Sequence, residues 1–263
     1  MNLPQGKKIY FASDNHLGAP DRAKSLPREQ LFVSWLEAIK KDAHSLFLVG
    51  DLFDFWFEYR DGFPNRFPEV TSKLRDLHQQ GCKITFIGGN HDWWAGKTFI
   101  SLTGAEVARG DIEARHYDRR IYIGHGDGIA HADWAYRLLR RILRNRINIL
   151  LFSQLPSSIG LKLAKIVSSG SHTAAEGRQW QFFRDYEEFA GRLIRRGFDA
   201  VLIGHTHIPQ RKELNGGLYL NTGDWIKYFT FVELKADVFH LKTFANGKME
   251  PFDSDRLQPP ARG

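Results

Sequence analysis

The chain has 263 residues, a formal net charge of +7 and 42% hydrophobic residues, which is enough apolar material for a buried core. Its single cysteine, Cys82, excludes an internal disulfide and any metal site built from several cysteines, and it favours a reduced, cytoplasmic compartment. The polar start of the chain predicts no secretory signal peptide, and its apolar runs are far shorter than the roughly 20 residues of a membrane-spanning helix.

The first half of the chain alternates predicted strands with predicted helices. Strands are predicted at 8–13, 45–49 and 83–87, and helices at 27–41 and 69–80. This β-α-β-α-β order predicts a sheet with helices on its faces. In such sheets, ligands bind beyond the carboxyl ends of the strands.

The second half of the chain breaks this rhythm. Residues 133–169 have helical spacing but contain no motif typical of metal ligands. The other predicted elements are strands at 119–124 and 200–203, a helix at 182–196, closing strands at 217–232 and 238–244, and a loose tail at 251–263.

Most of the predicted strands end in Asp, Asn or His, usually beside glycine. Five such blocks occur in the order Asp14-Asn15-His16, Gly50-Asp51, Gly89-Asn90-His91-Asp92, Gly124-His125-Gly126-Asp127 and Gly204-His205-Thr206-His207. Oxygen ligands combined with imidazole suit Mn²⁺, Fe²⁺ or Zn²⁺. The candidate ligands are Asp14, His16, Asp51, Asn90, His125, His205 and His207. Two metals need a shared carboxylate, for which Asp51 is the candidate, and a two-metal site predicts phosphoryl chemistry.

Two side chains beside these ligands have separate predicted roles. His91 directly follows the candidate ligand Asn90 and cannot easily reach the same metal. We therefore expect His91, beside Asn90, to stabilise the phosphoryl oxygens or to protonate the leaving group. Asp92 is expected to orient a histidine ligand.

In this order, the five blocks resemble the calcineurin-like metallophosphoesterase superfamily. The resemblance runs from Asp14 to His207, and Asn221-Thr222-Gly223-Asp224-Trp225 resembles the closing strand of that family. It implies one α/β (α+β) domain over 1–263, with a two-sheet β-sandwich flanked by helices and a helical lid insertion. It also implies two divalent metals, with Mn²⁺ expected before Fe²⁺ or Zn²⁺. One metal would be held by Asp14, His16, Asp51 and His207, and the other by Asp51, Asn90, His125 and His205.

Within that superfamily, Gly50-Asp51-Leu52-Phe53-Asp54-Phe55-Trp56 and His125-Gly126-Asp127 resemble the UDP-2,3-diacylglucosamine diphosphatases of lipid A biosynthesis. This resemblance implies hydrolysis of a lipid-linked UDP-sugar to UMP and 2,3-diacylglucosamine 1-phosphate (lipid X). It implies a lid at about 130–185 that covers the acyl chains. The implied substrate-binding residues are His91, Asp133, Tyr136, Ser168, His172 and Arg178. One departure is His91, where the best-known branch of the group has arginine.

The predicted lid also carries most of the excess positive charge. Residues 131–171 include seven Lys or Arg and one acidic residue. Helical spacing places Arg137, Arg140, Arg141 and Arg144 on one face, and Leu138, Leu139, Ile142 and Leu143 on another. A basic amphipathic helix predicts contact with an anionic membrane surface, so a peripheral position on the inner membrane is expected.

Two other interpretations of the sequence stay open. One is a soluble metallophosphoesterase that acts on nucleotides, phosphoproteins or nucleic acid, although we expect no nucleic-acid partner. The other is a non-catalytic scaffold, against which the complete set of candidate ligands argues. The sequence does not predict an oligomeric state.

Overall fold

The computed structural model describes residues 3–60, 66–130, 134–157, 159 and 182–257, which form two β-sheets and the helices outside them. The first sheet has the strand order β12-β11-β10-β1-β2-β3-β4. Its strands are β1 (Lys8–Ala12), β2 (Ala43–Val49), β3 (Lys83–Ile87), β4 (Glu106–Ala108), β10 (Thr230–Lys235), β11 (Val238–Ala245) and β12 (Lys248–Pro251).

The second sheet has the strand order β5-β6-β7-β9-β8. Its strands are β5 (Ile112–His116), β6 (Arg119–Gly124), β7 (Ala200–Ile203), β8 (Gln210–Leu214) and β9 (Gly217–Asn221). Within the first sheet β1, β2 and β3 are parallel, and within the second β6, β7 and β9 are parallel. The carboxyl ends of each parallel set therefore lie at one edge of their sheet.

Six described α-helices lie outside the two sheets. They are α1 (Arg22–Ile39), α2 (Pro68–Gln79), α3 (Lys97–Thr103), α4 (Trp134–Leu143), α5 (Arg146–Ser153) and α6 (Phe183–Arg195). Among the described helices, none has the length and apolar character needed to cross a bilayer.

The core consists of three layers of apolar side chains, as the alternation of side chains along β1 illustrates. Ile9 and Phe11 point between the two sheets, where they pack with residues of β6 and β7. Tyr10 and Ala12 point to the other face, where they pack with α1 to α3. A third cluster joins α6 to the outer face of the second sheet. The predicted two-sheet sandwich with outer helices is confirmed.

Two predicted element boundaries are wrong. The predicted strand at 217–232 is two strands in different sheets, because Gly223 has a positive φ of 72° and the Asp224 carboxylate accepts the backbone N–H groups of the following turn. Helix α1 begins at Arg22 rather than Pro27, because Asp21 caps it by accepting the Lys24 N–H at 2.9 Å.

The predicted long helical segment is broken where the structure describes it. α4 ends at Leu143, and Asn145 caps α5 by accepting the Ile147 N–H at 2.9 Å. We call α4 and α5 the helical pair. Residues 158 and 160–181 lie outside the described part of the chain.

Candidate metal centre

The candidate ligands meet at one end of the sandwich. Asp14, Asp51 and Asn90 follow the parallel strands β1, β2 and β3 of the first sheet. His125 follows β6 of the second sheet, and His205 and His207 follow β7. Because the carboxyl ends of the parallel strands lie together, residues that are distant in sequence surround one small volume.

The ligand atoms form groups that share members. There are three groups, and within each group the ligand atoms lie within 4.8 Å of one another. The groups are Asp14 with His16 and His207, His16 with Asp51 and His91, and Asp51 with His125 and His205. Asp51 Oδ2 lies 3.7 Å from His16 Nε2 and 3.3 Å from His125 Nε2. Asp51 thus lies between the groups, as its predicted bridging role requires.

Asn90 also lies at this centre. Its Oδ1 is 3.1 Å from His125 Nε2. All seven predicted metal ligands are therefore brought together, although the roles of the individual residues remain predictions.

The backbone fixes which carboxylate oxygen faces the histidines. Asp14 Oδ2 accepts the His205 N–H at 2.9 Å and the Ser13 hydroxyl. Asp51 Oδ1 accepts the His91 N–H at 2.9 Å. The remaining oxygens, Asp14 Oδ1 and Asp51 Oδ2, each lie within 4 Å of two imidazole nitrogens.

Several candidate ligands have a strained backbone. Asp14, His16, Asp51, His205 and His207 all have positive φ, between 43° and 68°. This left-handed region is uncommon for residues with a side chain, and such strain concentrates at functional sites. The strained turns aim consecutive polar side chains into the centre.

Two glycines allow the ligand loops to approach each other. A Cβ atom on Gly89 would lie 2.1 Å from Asp51 Oδ1, and one on Gly50 would lie 2.4 Å from His125 Nδ1. Neither distance is sterically allowed, so any side chain at these positions would displace a candidate ligand.

Each of three imidazoles is oriented through its Nδ1 atom. His125 Nδ1 lies 2.9 Å from the Val49 carbonyl oxygen, and His91 Nδ1 lies 2.8 Å from the Asp54 carbonyl oxygen. His207 Nδ1 lies 3.4 Å from Asp224 Oδ2. These contacts leave Nε2 as the nitrogen of each ring that faces the centre.

Asp92 does not orient a histidine in the way the sequence suggested. Its carboxylate is fully buried and accepts the backbone N–H groups of Gly89, Asp51 and Phe53 at 2.9, 3.1 and 3.2 Å. It therefore ties the loop after β3 to the loop after β2. Burial, together with the nearby Asp51 carboxylate, raises the pKa of Asp92 to about 7.

Burial and mutual charge shift the protonation of the centre. Burial raises the pKa of Asp14. Burial also acts to raise the pKa of Asp51, but His125 and His91 outweigh it and hold this pKa well below the usual range. Burial lowers the pKa of His205 to about 3, with His125 adding to the effect. For His125, burial acts to lower the pKa, but the Asp51 carboxylate outweighs it and raises the pKa to about 10.

The donor set fits divalent cations. Asp14 Oδ1 is buried and accepts no hydrogen bond within the described residues, although it faces His16 and His207. Carboxylate oxygens and imidazole nitrogens, preorganised by backbone N–H groups, are the ligands that Mn²⁺, Fe²⁺ and Zn²⁺ accept. A divalent cation at this centre would neutralise the buried carboxylates, which protonated imidazoles otherwise do.

The predicted substrate-binding residues are only partly described. Tyr136 lies on α4 and its hydroxyl donates to Asp127 Oδ2 at 2.9 Å. The remaining predicted contacts lie outside the described residues: Asp133, Ser168, His172 and Arg178.

The arginine face of the helical pair points inward, so its predicted membrane-facing orientation is wrong for three of the four arginines. Arg137 donates to the Ala130 carbonyl oxygen at 2.7 Å, and Arg140 to the Asp127 carbonyl oxygen at 2.5 Å. Arg144 donates to Asp127 Oδ2 at 2.8 Å. The carboxylate of Asp127 supplies the opposite charge that draws this face onto the protein.

The apolar face of the helical pair has a cavity on one side and solvent on the other. The cavity has a volume of about 420 Å³ and reaches Asn90 and His91 at its polar end. Its apolar walls include Phe55, Phe57, Trp94, Leu139, Leu143 and Phe152. Several large apolar side chains of the pair are solvent-exposed: Trp134, Leu138, Ile147, Leu150 and Leu151.

Two residues at the centre were missed in the sequence. Asp224, which contacts His207, follows Gly223 at the end of β9 and repeats the Gly-Asp pattern of the other strand ends. Arg144, in the turn between α4 and α5, contacts the Asp127 carboxylate; in the sequence it was marked only as a member of the basic face.

Comparison with known proteins agrees with this geometry. A model of the calcineurin-like phosphoesterase family matches residues 7–209. The UDP-2,3-diacylglucosamine hydrolase of Porphyromonas gingivalis is 29% identical over 242 residues, which cover 85% of this chain and 92% of that protein. The enzyme of the same name from Haemophilus influenzae (strain PittGG) is 28% identical, and the match covers 88% of this chain and 95% of that protein. The enzyme of the same name from Actinobacillus succinogenes is 31% identical, and the match covers 76% of this chain and 83% of that protein. The chain therefore belongs to the calcineurin-like phosphoesterase family and is a metal-dependent hydrolase.

Proposed function

We propose that this protein hydrolyses the pyrophosphate bond of UDP-2,3-diacylglucosamine, adding one water to give UMP and 2,3-diacylglucosamine 1-phosphate. The observation that carries this proposal is the apolar cavity that opens at Asn90 and His91, beside the candidate metal centre. Its volume of about 420 Å³ lies in the range of small-molecule sites. A substrate with a diphosphate and acyl chains matches this pairing of a polar centre with an apolar cavity, and the named relatives support it.

The seven candidate ligands would hold two divalent cations, with Mn²⁺ proposed first. Such ions supply positive charge to the phosphoryl oxygens and lower the pKa of water. The chain itself supplies His91, whose Nδ1 is fixed by the Asp54 carbonyl oxygen and whose Nε2 faces the centre. From there His91 donates a hydrogen bond to a phosphoryl oxygen or a proton to the leaving group.

The helical pair serves in this proposal as the lid over the acyl chains. Leu139 and Leu143 form part of the cavity wall, and burial of a chain against them contributes roughly 0.8 kcal/mol per CH₂. The exposed Leu150 and Leu151 lie outside the cavity wall and would contact the membrane that contains the substrate. The protein would then act as a peripheral enzyme on the cytoplasmic side of the inner membrane.

The first test is a substrate comparison with purified protein and Mn²⁺. We expect release of UMP from UDP-2,3-diacylglucosamine, much slower release from the deacylated UDP-sugar, and slow cleavage of bis-p-nitrophenyl phosphate. Rapid cleavage of the small diester without release of UMP would instead support a soluble phosphoesterase of other substrates.

Two matched double variants separate the two apolar surfaces. Leu139→Ser with Leu143→Ser should remove the preference for the acylated substrate and leave liposome sedimentation intact. Leu150→Ser with Leu151→Ser should weaken sedimentation and keep the preference, measured in detergent. If both pairs behave as the parent does, neither the cavity nor the exposed face has its proposed role.

A further inference from the structure

One carboxylate oxygen on the body of the protein accepts three donors from α4 and the turn after it. Asp127 Oδ2 accepts hydrogen bonds from the Tyr136 hydroxyl at 2.9 Å, from Arg140 at 3.3 Å and from Arg144 at 2.8 Å. The three donors are spaced four residues apart, so they form one stripe along α4 and the turn after it. Asp127 is only 8% exposed, which makes these contacts strong.

The same contacts reach both loops that carry candidate ligands of the second metal. Asp127 lies two residues after His125. Arg144 also donates to the Gly89 carbonyl oxygen at 3.2 Å, directly before Asn90. Its guanidinium carbon lies 3.7 Å from the centroid of the Trp93 ring, in a cation–π contact. One guanidinium therefore bridges the loop after β6 and the loop after β3.

The stripe that contacts Asp127 borders the apolar cavity. Leu139 and Leu143 line the cavity beside Tyr136, Arg140 and Arg144, which line it as well as contacting Asp127. A rotation or lift of α4 would therefore change the cavity and the loop before Asn90 together. Much of the apolar face of α4 is exposed, so polar contacts contribute to its position. Besides the Asp127 contacts, these are the bond from Arg137 to the Ala130 carbonyl oxygen and the bond from Trp94 Nε1 to the Leu143 carbonyl oxygen.

We propose that Asp127 and Arg144 are positioning residues that fix α4 over the substrate cavity and join it to the His125 and Asn90 loops. This role rests on the proposed function for its effect on the lipid-linked substrate. Asp127 would not touch the reacting phosphates; it acts through the helix. Its loss should weaken binding of the acylated substrate far more than it slows the chemical step.

The test compares Asp127→Asn with Asp127→Glu and Arg144→Ser with Arg141→Ser. Asp127→Asn removes the charge and should raise KM for the acylated substrate by roughly 10- to 100-fold, the factor that corresponds to lost hydrogen bonds to charged groups. The change in kcat, and in cleavage of bis-p-nitrophenyl phosphate, should be much smaller. Asp127→Glu keeps the carboxylate and should restore most of the affinity.

Arg141 supplies the matched control for charge. It lies on the same helix, is exposed and makes no contact with Asp127 within the described residues. Arg144→Ser should raise KM, whereas Arg141→Ser, with the same loss of charge, should not. Equal KM values for these two variants, or a parental KM in Asp127→Asn, would overturn the proposal.

A readout without substrate separates this proposal from the proposed function. Trypsin digestion followed by mass spectrometry should show faster cleavage after Arg140 and Arg141 in Asp127→Asn than in the parent, with and without Mn²⁺. If the parent does not hydrolyse the lipid-linked sugar but this difference appears, the proposed function fails and the positioning role stands. If digestion of the two proteins is the same, the positioning role fails whatever the substrate is.

Discussion

Asp92 provides the sharpest test of how the two ligand loops are held together. Its Oδ1 accepts the backbone N–H groups of Gly89 and Asp51, and its Oδ2 accepts that of Phe53. Asp92→Asn can keep the two bonds to Oδ1, but its amide nitrogen then faces the Phe53 N–H. Asp92→Ala removes both acceptor oxygens and so leaves all three N–H groups without a partner at a site with no solvent exposure.

The structure gives the size and the order of the two effects. One buried N–H without a partner costs about 1–3 kcal/mol, so Asp92→Asn should lower the free energy of unfolding by that amount. Asp92→Ala leaves three such groups and should cost about 3 kcal/mol or more, a large part of the total stability of a domain. Asp92→Ala should also bind metal more weakly, because the loops carrying Asp51 and Asn90 are no longer tied together, whereas Asp92→Asn keeps both Oδ1 bonds and should bind metal nearly as the parent does.

The assay is urea unfolding in the presence of a chelator, with metal content measured separately on the loaded proteins. If the urea dependence of the unfolding free energy has the same slope in parent and variant and only the midpoint shifts, the two proteins differ in stability alone. Asp76→Asn is the matched control, because the side chain of Asp76 on α2 is 43% exposed and lies 3.7 Å from Lys73 in a surface ion pair, which contributes little to stability. An unchanged midpoint for Asp92→Asn, or equal midpoints for the Asn and Ala variants, would refute the reasoning from the three N–H groups.

Three further predictions concern other groups. Asp51→Ala should lose both metals and activity, and two bound metals per chain by elemental analysis would contradict the bridging role. His91→Ala should keep its metals while kcat falls roughly 10²- to 10⁴-fold; loss of metal would make His91 a ligand, as its contact with the His16–Asp51 group allows. Burial acts to raise the pKa of Glu233, but the ion pairs with Lys242 and Lys8 outweigh burial and hold this pKa below its ordinary value of 4.5. Glu233→Gln should therefore cost about 1–3 kcal/mol at neutral pH, and the difference in urea midpoints should vanish as the pH falls through the folded-state pKa.

The polar blocks at the strand ends made much of the candidate centre predictable from sequence. A parallel strand that ends in Gly-Asp or Gly-His places those side chains at one edge of a sheet whatever the rest of the fold does. The predicted single strand at 217–232 overlooked this rule, because Gly223-Asp224 repeats the pattern where the chain leaves β9 and crosses between the sheets. Hydrophobic pattern records burial, and both strands there are buried, so the pattern contains no sign of the crossing.

The orientation of the helical pair could not be predicted from the sequence, for a related reason. Helical spacing separates an arginine face from a leucine face, but it does not say which of them meets the protein. In the structure, the arginine side meets Asp127, a single buried carboxylate on another loop, which accepts hydrogen bonds from Arg140, Arg144 and the Tyr136 hydroxyl. With the arginines turned inward to Asp127, the leucine face is left to form the cavity wall and the exposed surface. An exposed apolar surface often marks an interaction site, and under the proposed function a substrate with acyl chains in a membrane would supply the partner. The inward arginines and the outward leucines are thus two consequences of one ion-paired contact beside the metal centre.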